Sequence, residues 1–164
     1  MTKEKQGIGY LGTEFLLWLY YKSCTDNTVS LNNLGIGEIT VSVEDTITLS
    51  SVTGEDYTET IKAMSISGLD SVRNSIKIGR LPVESKVKIT SGDLQWLFQI
   101  KAVPFKVTAV KLPFSGEKDE DTVISARLLS MTKLELIVKA LFNTFLLERD
   151  TTDFINEFKD FLGV

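Results

Sequence analysis

Apolar and polar side chains alternate along several short stretches of this chain, and this period of two constrains the fold more than any other feature. In residues 83–101, valine, isoleucine, tryptophan and phenylalanine alternate with lysine, glutamate and glutamine on either side of a turn at 91–93. Residues 39–49 alternate in the same way around residues 44–45, which predicts a hairpin with its turn there. Because successive side chains of a strand point to opposite faces, these stretches predict antiparallel strands with one buried and one solvated face.

Helical spacing of apolar residues predicts four helices around these strands. The predicted elements, in chain order, are helix 10–22, polar loop 24–33, strands 39–43, 47–49 and 57–66, helix 69–78, strands 83–89, 94–101 and 105–112, and helices 123–148 and 152–162. This order predicts an α+β fold, in which an antiparallel sheet of about six strands has helices packed on one face and long C-terminal helices. Residues 1–9 are predicted to be a flexible tail, and residues 10–164 a single domain.

The chain has no histidine and a single cysteine, Cys24, which removes many catalytic and metal-binding arrangements. Ser-His-Asp and Cys-His catalysis, Cys/His zinc sites and an intramolecular disulfide are excluded. We therefore expect no enzyme, no metal site and no cofactor, and we expect Cys24 to act as a small buried apolar residue. Residues 1–6 lack the apolar core of a secretory signal, and the longest apolar run, 15–21, is too short to cross a bilayer. These features predict a cytoplasmic protein without membrane contact.

Two motifs resemble ligand sites, and each has a better explanation without a ligand. Residues 7–12, Gly-Ile-Gly-Tyr-Leu-Gly, match the glycine pattern of dinucleotide-binding proteins. Only six residues precede them, so no strand can lead into the turn that binds the pyrophosphate.

Glu117 and the acidic run 119–121 cluster carboxylates, but their spacing is wrong for a calcium loop. We expect a solvated acidic loop at this position.

The charges of the chain are segregated, although the net charge is only −4. Residues 23–60 contain seven acidic residues and no basic residue, whereas residues 61–111 contain nine basic and three acidic residues. If the apolar side chains of the central strands face inward, four lysines share the opposite face of the sheet: Lys86, Lys88, Lys101 and Lys106. Such a face can bind a phosphate backbone without reading sequence, and the alternative is an ordinary solvated sheet face.

The predicted helix 10–22 is apolar on nearly every side, so it must be covered by the chain's own sheet or by another chain. Its candidate interface residues are Phe15, Trp18 and Leu19. They support an alternative function, a protein-interaction or assembly module whose exposed apolar helix docks onto a partner while the lysines only solvate the sheet.

Scattered lysine and apolar positions in the second half of the chain match a known family. They are Lys86-Val87-Lys88-Ile89, Leu94-Gln95-Trp96-Leu97-Phe98-Gln99, Val110-Lys111-Leu112, Leu128-Leu129-Ser130-Met131-Thr132 and residues 134–142. In these positions the chain resembles the C-terminal part of the RdgC family of recombination-associated proteins, and residues 11–19 are similar to a segment of longer members. The resemblance implies DNA binding without strong sequence preference, ring-like dimers with a basic inner surface, restraint of recombinase filaments and no catalytic activity.

The sequence thus predicts a non-enzymatic, DNA-associated module that forms a homodimer or binds a partner protein. Its expected DNA contacts are the phosphates of the backbone, made by the four lysines of the central strands.

Overall fold

The computed structural model describes residues 8–51, 57–113, 116 and 118–164. Its helices and strands, in chain order, are α1 (Ile8–Cys24), β1 (Thr28–Leu31), β2 (Gly37–Ser51), β3 (Thr58–Lys62), α2 (Asp70–Lys77), β4 (Arg80–Ser91), β5 (Leu94–Ala102), β6 (Phe105–Lys111), α3 (Glu120–Glu148) and α4 (Thr152–Leu162). A short 3-10 turn, Asn32–Leu34, joins β1 to β2. The predicted tail covers residues 1–9, of which residues 1–7 lie outside the described part of the chain, and α1 already includes Ile8 and Gly9.

All strand pairs are antiparallel and form one sheet in the order β1, β2, β4, β5, β6. The strand β3 also pairs with β2, and it does so beyond the end of β1, so that β1 and β3 share one edge of β2. The α+β fold class predicted from the sequence is confirmed, since the described residues form a six-stranded antiparallel sheet and four packed helices.

The predicted hairpin at residues 39–49 is wrong. β2 is one continuous strand of 15 residues, and residues 44–46 form a bulge where its register with β4 shifts. A bulge bends and twists a strand without reversing it, which is why the polar residues 44–45 imitate a turn in the sequence. The predicted polar loop 24–33 instead contains β1, whose register pairs Val29 with Ile39.

The apolar face of the sheet is covered by α1, which contacts β2, β4 and β5. Two adjoining apolar clusters lie on this side of the sheet. One surrounds Trp96 and Phe98 and includes side chains from α1 and α3, while the other surrounds Tyr20 and Ile47 and includes side chains from α2 and α4. The helices therefore cover one face of the sheet and leave the polar face of the central strands open.

Gly12 allows α1 to lie directly on the end of β5. A Cβ atom at this position would lie 2.5 Å from the carbonyl oxygen of Ala102, which is closer than any real contact allows. Gly12 belongs to the glycine pattern of residues 7–12, of which Gly7 lies outside the described residues. In the described part, the glycine at position 12 serves helix–sheet packing.

Candidate interaction surfaces

The sheet brings the four predicted lysines to the same polar face. In the register of β4 with β5, Lys86 pairs with Gln99 and Lys88 pairs with Leu97. Lys101 of β5 lies directly opposite Lys106 of β6. Their apolar neighbours along the strands point into the core, as the alternation predicted.

Three of these four lysines are paired with carboxylates of the same face. The lysine Nζ to carboxylate oxygen distances are 3.1 Å for Lys86–Asp45, 2.6 Å for Lys88–Glu44 and 3.9 Å for Lys101–Glu84. The hydrogen bond from Lys86 lowers the pKa of the Asp45 carboxyl below its ordinary value. The acidic bulge of β2 therefore partly neutralises the basic strand β4, and a uniformly basic face is not formed.

Two further cations of this face lie on the edge strand β6, while Lys62 of β3 lies near the opposite edge of the sheet. Lys106 has no ion pair among the described residues, and its cross-strand neighbour is another lysine, Lys101. Lys111, also on β6, pairs in register with Leu97 and likewise has no ion pair within the described ranges. Like charges directly opposite each other are unfavourable, so this edge is the part of the face that a bound anion would stabilise most.

The structure places the three predicted interface residues in the core, which corrects the expectation that they dock onto a partner. Phe15, Trp18 and Leu19 are at most 1% exposed. The ring of Phe15 lies 5.2 Å from that of Phe142, and the indole N–H of Trp18 donates a hydrogen bond of 2.9 Å to Glu148. The chain's own α3 therefore packs against α1.

An exposed apolar surface occurs instead on the first three turns of α3. Ile124, Leu128 and Met131 are 50%, 65% and 43% exposed. Their spacing of four and three residues places them in one stripe along the helix, which we call the α3 stripe. The buried residues of α3 begin only at Leu134. Leu128 and Met131 share the helical spacing of the apolar residues that predicts this helix, but the structure leaves both exposed.

Polar contacts hold this part of α3 in place. The Asp119 side chain accepts hydrogen bonds from the backbone N–H and the hydroxyl of Thr122, which caps the helix and lowers the pKa of Asp119. On another side of the helix, the indole N–H of Trp96 donates to the carbonyl and hydroxyl oxygens of Ser130, at 3.2 and 3.0 Å. The α3 stripe is therefore presented by an anchored helix, whose first turn contains two residues predicted to lie in an acidic loop, Glu120 and Asp121.

A groove of about 500 Å³ lies beside α3, further along the helix than the stripe. Its lining is mostly apolar and includes Leu11 and Gly12 of α1, Phe105 of β6, and Val138 and Phe142 of α3. Lys139 also lines the groove and forms an ion pair of 2.9 Å with Glu135 one turn earlier. The apolar surface of this side of the molecule thus continues beyond the stripe.

The single thiol lies against a loop rather than in a reactive site. The Sγ of Cys24 donates to the carbonyl oxygen of Ser67 at 3.2 Å, and burial raises the pKa of the thiol. The pKa of the neighbouring Tyr20 hydroxyl is also raised by burial. Both groups are therefore held in their neutral forms at neutral pH.

Within the described residues, no cluster of three or more aspartate, glutamate, histidine or cysteine side chains is placed to bind a metal ion. In the same part of the chain, no helix is long and apolar enough to cross a membrane. No protein-family model matches this chain, and no curated protein matches it significantly. The resemblance to the RdgC family stays a prediction.

Proposed function

We propose that this protein is a non-enzymatic association module and that the α3 stripe is its contact surface. The observation that supports this proposal is the exposure of Ile124, Leu128 and Met131 on consecutive turns of one helix. Single exposed apolar side chains are common on proteins, but an aligned set on an anchored helix is typical of a surface that another protein covers.

Burial of these side chains by a partner is favourable because apolar area is removed from water. Fully burying one leucine, isoleucine or methionine side chain contributes about 1.5–3 kcal/mol. The helix is already ordered by its cap at Asp119 and by the Trp96–Ser130 hydrogen bonds, so association does not have to order it. The alternative function predicted from the sequence, a protein-interaction module, is therefore retained, but we propose that its contact surface lies on α3 and not on α1.

Photo-crosslinking in cells that express the protein tests this proposal. A photoreactive phenylalanine analogue is placed at Leu128, and the control carries it at Ile78, which is 68% exposed beyond the end of α2. We expect covalent protein adducts from position 128 and few from position 78. Equal adduct yields at the two positions, or no adduct at position 128, would refute the proposed contact surface.

A second candidate function is the DNA association that the resemblance implies. The observation that favours it is the pair Lys101 and Lys106, which face each other across β5 and β6 with Lys111 nearby on the same face. A backbone phosphate between the two lysines would relieve their repulsion and make contacts without sequence preference. Lys101 has only a long ion pair of 3.9 Å with Glu84, whereas Lys86 and Lys88 would contribute less because their ion pairs with carboxylates of β2 are shorter, at 3.1 and 2.6 Å.

Fluorescence anisotropy with a labelled DNA duplex at two salt concentrations tests this second function. We expect an affinity that falls as salt rises, and its loss in the double variant Lys101→Glu/Lys106→Glu. The control is Lys77→Glu/Lys159→Glu, which makes the same change in net charge on α2 and α4. Absence of binding at low salt, or equal binding by the two double variants, would exclude DNA association through this face.

A further inference from the structure

We propose that the partner of the α3 stripe is an extended peptide segment of another protein, in which apolar and acidic residues alternate, and that this segment pairs with β6 as an added strand. This inference rests on the proposed function and names the chemistry of the partner. Three observations support it: the open edge of β6, the path of α3 along that edge, and the contrast between the two sides of an added strand.

The strand β6 has an outer edge that is open to a further strand. It is the last strand of the sheet, and no described residue outside β5 forms a backbone hydrogen bond with it. Ala102 and Phe105 flank a two-residue turn and face each other in the register, so their backbone groups bond each other. Because this pattern alternates, the backbone groups of Lys106 and Thr108 point away from β5 and toward the open edge.

The regular part of the open edge is residues 105–108. Beyond it the register with β5 shifts at a bulge that contains Ala109, whose φ of 52° lies in the left-handed region. A bulge bends the strand, so continuous pairing with a partner is limited to the four residues before it. Lysine at an edge opposes pairing with an identical edge, and a partner strand must therefore bring the opposite charge.

The helix α3 runs antiparallel to β6, along the same edge of the sheet. At the end of β6, the indole N–H of Trp96 donates to Ser130 of α3, and the sequence neighbour of Trp96 pairs with Lys111. At the start of β6, the ring of Phe105 lies 6.1 Å from that of Phe142. Six steps along the strand and twelve along the helix each cover about 18–20 Å, so the two elements lie side by side.

The α3 stripe lies on the side of this helix that is turned toward β6. Ile124 and Phe142 are 18 residues, or five full turns, apart and therefore share the side that contacts Phe105. Lys133, whose Nζ lies 5.7 Å from the ring of Trp96 on β5, is nine residues from Phe142 and points to the opposite side. The groove of about 500 Å³, which Phe105 helps to line, continues the apolar surface along the same side.

A strand added to the open edge would have one apolar and one basic environment. Its residues opposite Phe105 and Val107 would point toward the groove and the α3 stripe, because both side chains lie on the core side of the sheet. Its residue opposite Lys106 would point to the polar face, on which Lys101 and Lys111 also lie. Lys106 and Lys111 have no ion pair among the described residues, so acidic side chains complement them. The partner that fits alternates apolar with acidic residues.

Selection from a displayed library of random short peptides tests this chemistry, because the library presupposes no sequence. The full chain is immobilised, and we expect enriched peptides in which acidic residues recur at every second position with apolar residues between them. No enrichment over an empty surface, or enriched peptides whose apolar residues have helical spacing, would overturn the inference.

Charge variants measure the basic side with one enriched peptide, by fluorescence anisotropy. We expect Lys106→Glu/Lys111→Glu to raise the dissociation constant at least about tenfold, since two attractive contacts become repulsive. The control Lys77→Glu/Lys159→Glu makes the same change in net charge on α2 and α4 and should bind within about threefold of the wild type. Equal affinities of the two double variants would overturn the recognition of acidic residues by this edge.

N-methylation of the enriched peptide tests strand pairing without altering the protein. Only every second N–H group of an added strand faces β6, so we compare two peptides that are methylated at alternate amides in opposite phase. We expect one phase to weaken binding at least about tenfold relative to the other, because the methyl groups remove its hydrogen bonds to β6. Equal affinities of the two phases would overturn the addition of a strand.

Crosslinking at Leu128 separates the failure of this inference from that of the proposed function. Adducts at this position, together with no selected peptide of alternating character, would leave the contact surface in place and overturn its assigned occupant. The absence of any adduct would refute the proposed contact surface itself. Binding of the DNA duplex through Lys101 and Lys106, without any selected peptide, would assign the edge to the second candidate function and overturn the inference.

Discussion

The replacement Phe15→Ala tests whether α1 belongs to the chain's own core. Phe15 is fully buried, and its ring lies 5.2–6.0 Å from four other rings, those of Trp18, Phe105, Phe142 and Phe145. Removal of a buried phenylalanine ring costs about 3–5 kcal/mol, and contacts with several rings place this site toward the upper end. We expect the free energy of unfolding to fall by about 4 kcal/mol.

Urea unfolding followed by tryptophan fluorescence and circular dichroism measures this loss. With a slope of about 2 kcal/mol per molar urea, the midpoint should fall by about 2 M. The matched control is Leu128→Ala in dilute protein, where the leucine is mostly exposed and the change should stay within about 0.5 kcal/mol. A loss below about 1 kcal/mol for Phe15→Ala would contradict the packing of α1 described above.

Three further predictions follow from local contacts. Gly12→Ala should lower the free energy of unfolding by about 1–3 kcal/mol, because the added Cβ meets the backbone of Ala102. Thermal unfolding measures this loss, and an unchanged stability would contradict the close contact between α1 and β5. The Cys24 thiol should react with a disulfide reagent more slowly in the folded protein than in urea at the same neutral pH, since burial raises its pKa, and equal rates would contradict its burial. Lys86→Gln should raise the pKa of Asp45, as measured by NMR titration, and an unchanged pKa would exclude the hydrogen bond. Because the pKa of Asp45 is lowered in the folded wild type, this pair stabilises the fold at pH values above the ordinary carboxyl pKa. The stabilisation is lost as the pH falls below that value.

Much of the fold could be predicted because its signals are local. The alternation in β4 and β5, the turn between them and the bounds of α4 all follow from residues that are neighbours in sequence. The number of strands and their order along the chain were predicted, but only because two errors compensate. The two strands of the supposed hairpin are the single strand β2, and the polar segment 24–33 contains the unpredicted strand β1. A bulge and a short edge strand depend on pairing with β2, which spacing along one stretch of sequence does not show.

The candidate surfaces were predictable to a smaller extent. Alternation correctly placed Lys86, Lys88, Lys101 and Lys106 on one polar face. It could not show that the β2 bulge brings Glu44 and Asp45 beside two of them, because that contact joins residues about 40 positions apart.

The helix α3 was predicted, but the part of it that stays exposed could not be predicted, for a different reason. Periodicity shows that apolar residues share a side of the helix, but it does not show where the rest of the molecule ends. Leu128 and Leu129 are both exposed, whereas Ile137 and Val138, further along the same helix, are both buried. Adjacent apolar residues therefore occur in both parts of the helix, and only the position of the other elements decides which part is covered.

Oxidative footprinting of two methionines in the wild-type protein tests the central claim most directly. Met131 belongs to the α3 stripe and is 43% exposed, while Met64, outside α3, is fully exposed and provides an internal reference. We predict that both oxidise in dilute purified protein, and that in cells Met131 is protected while Met64 is not. An unchanged ratio of Met131 to Met64 oxidation between dilute protein and cells would contradict the assignment of the α3 stripe as a contact surface.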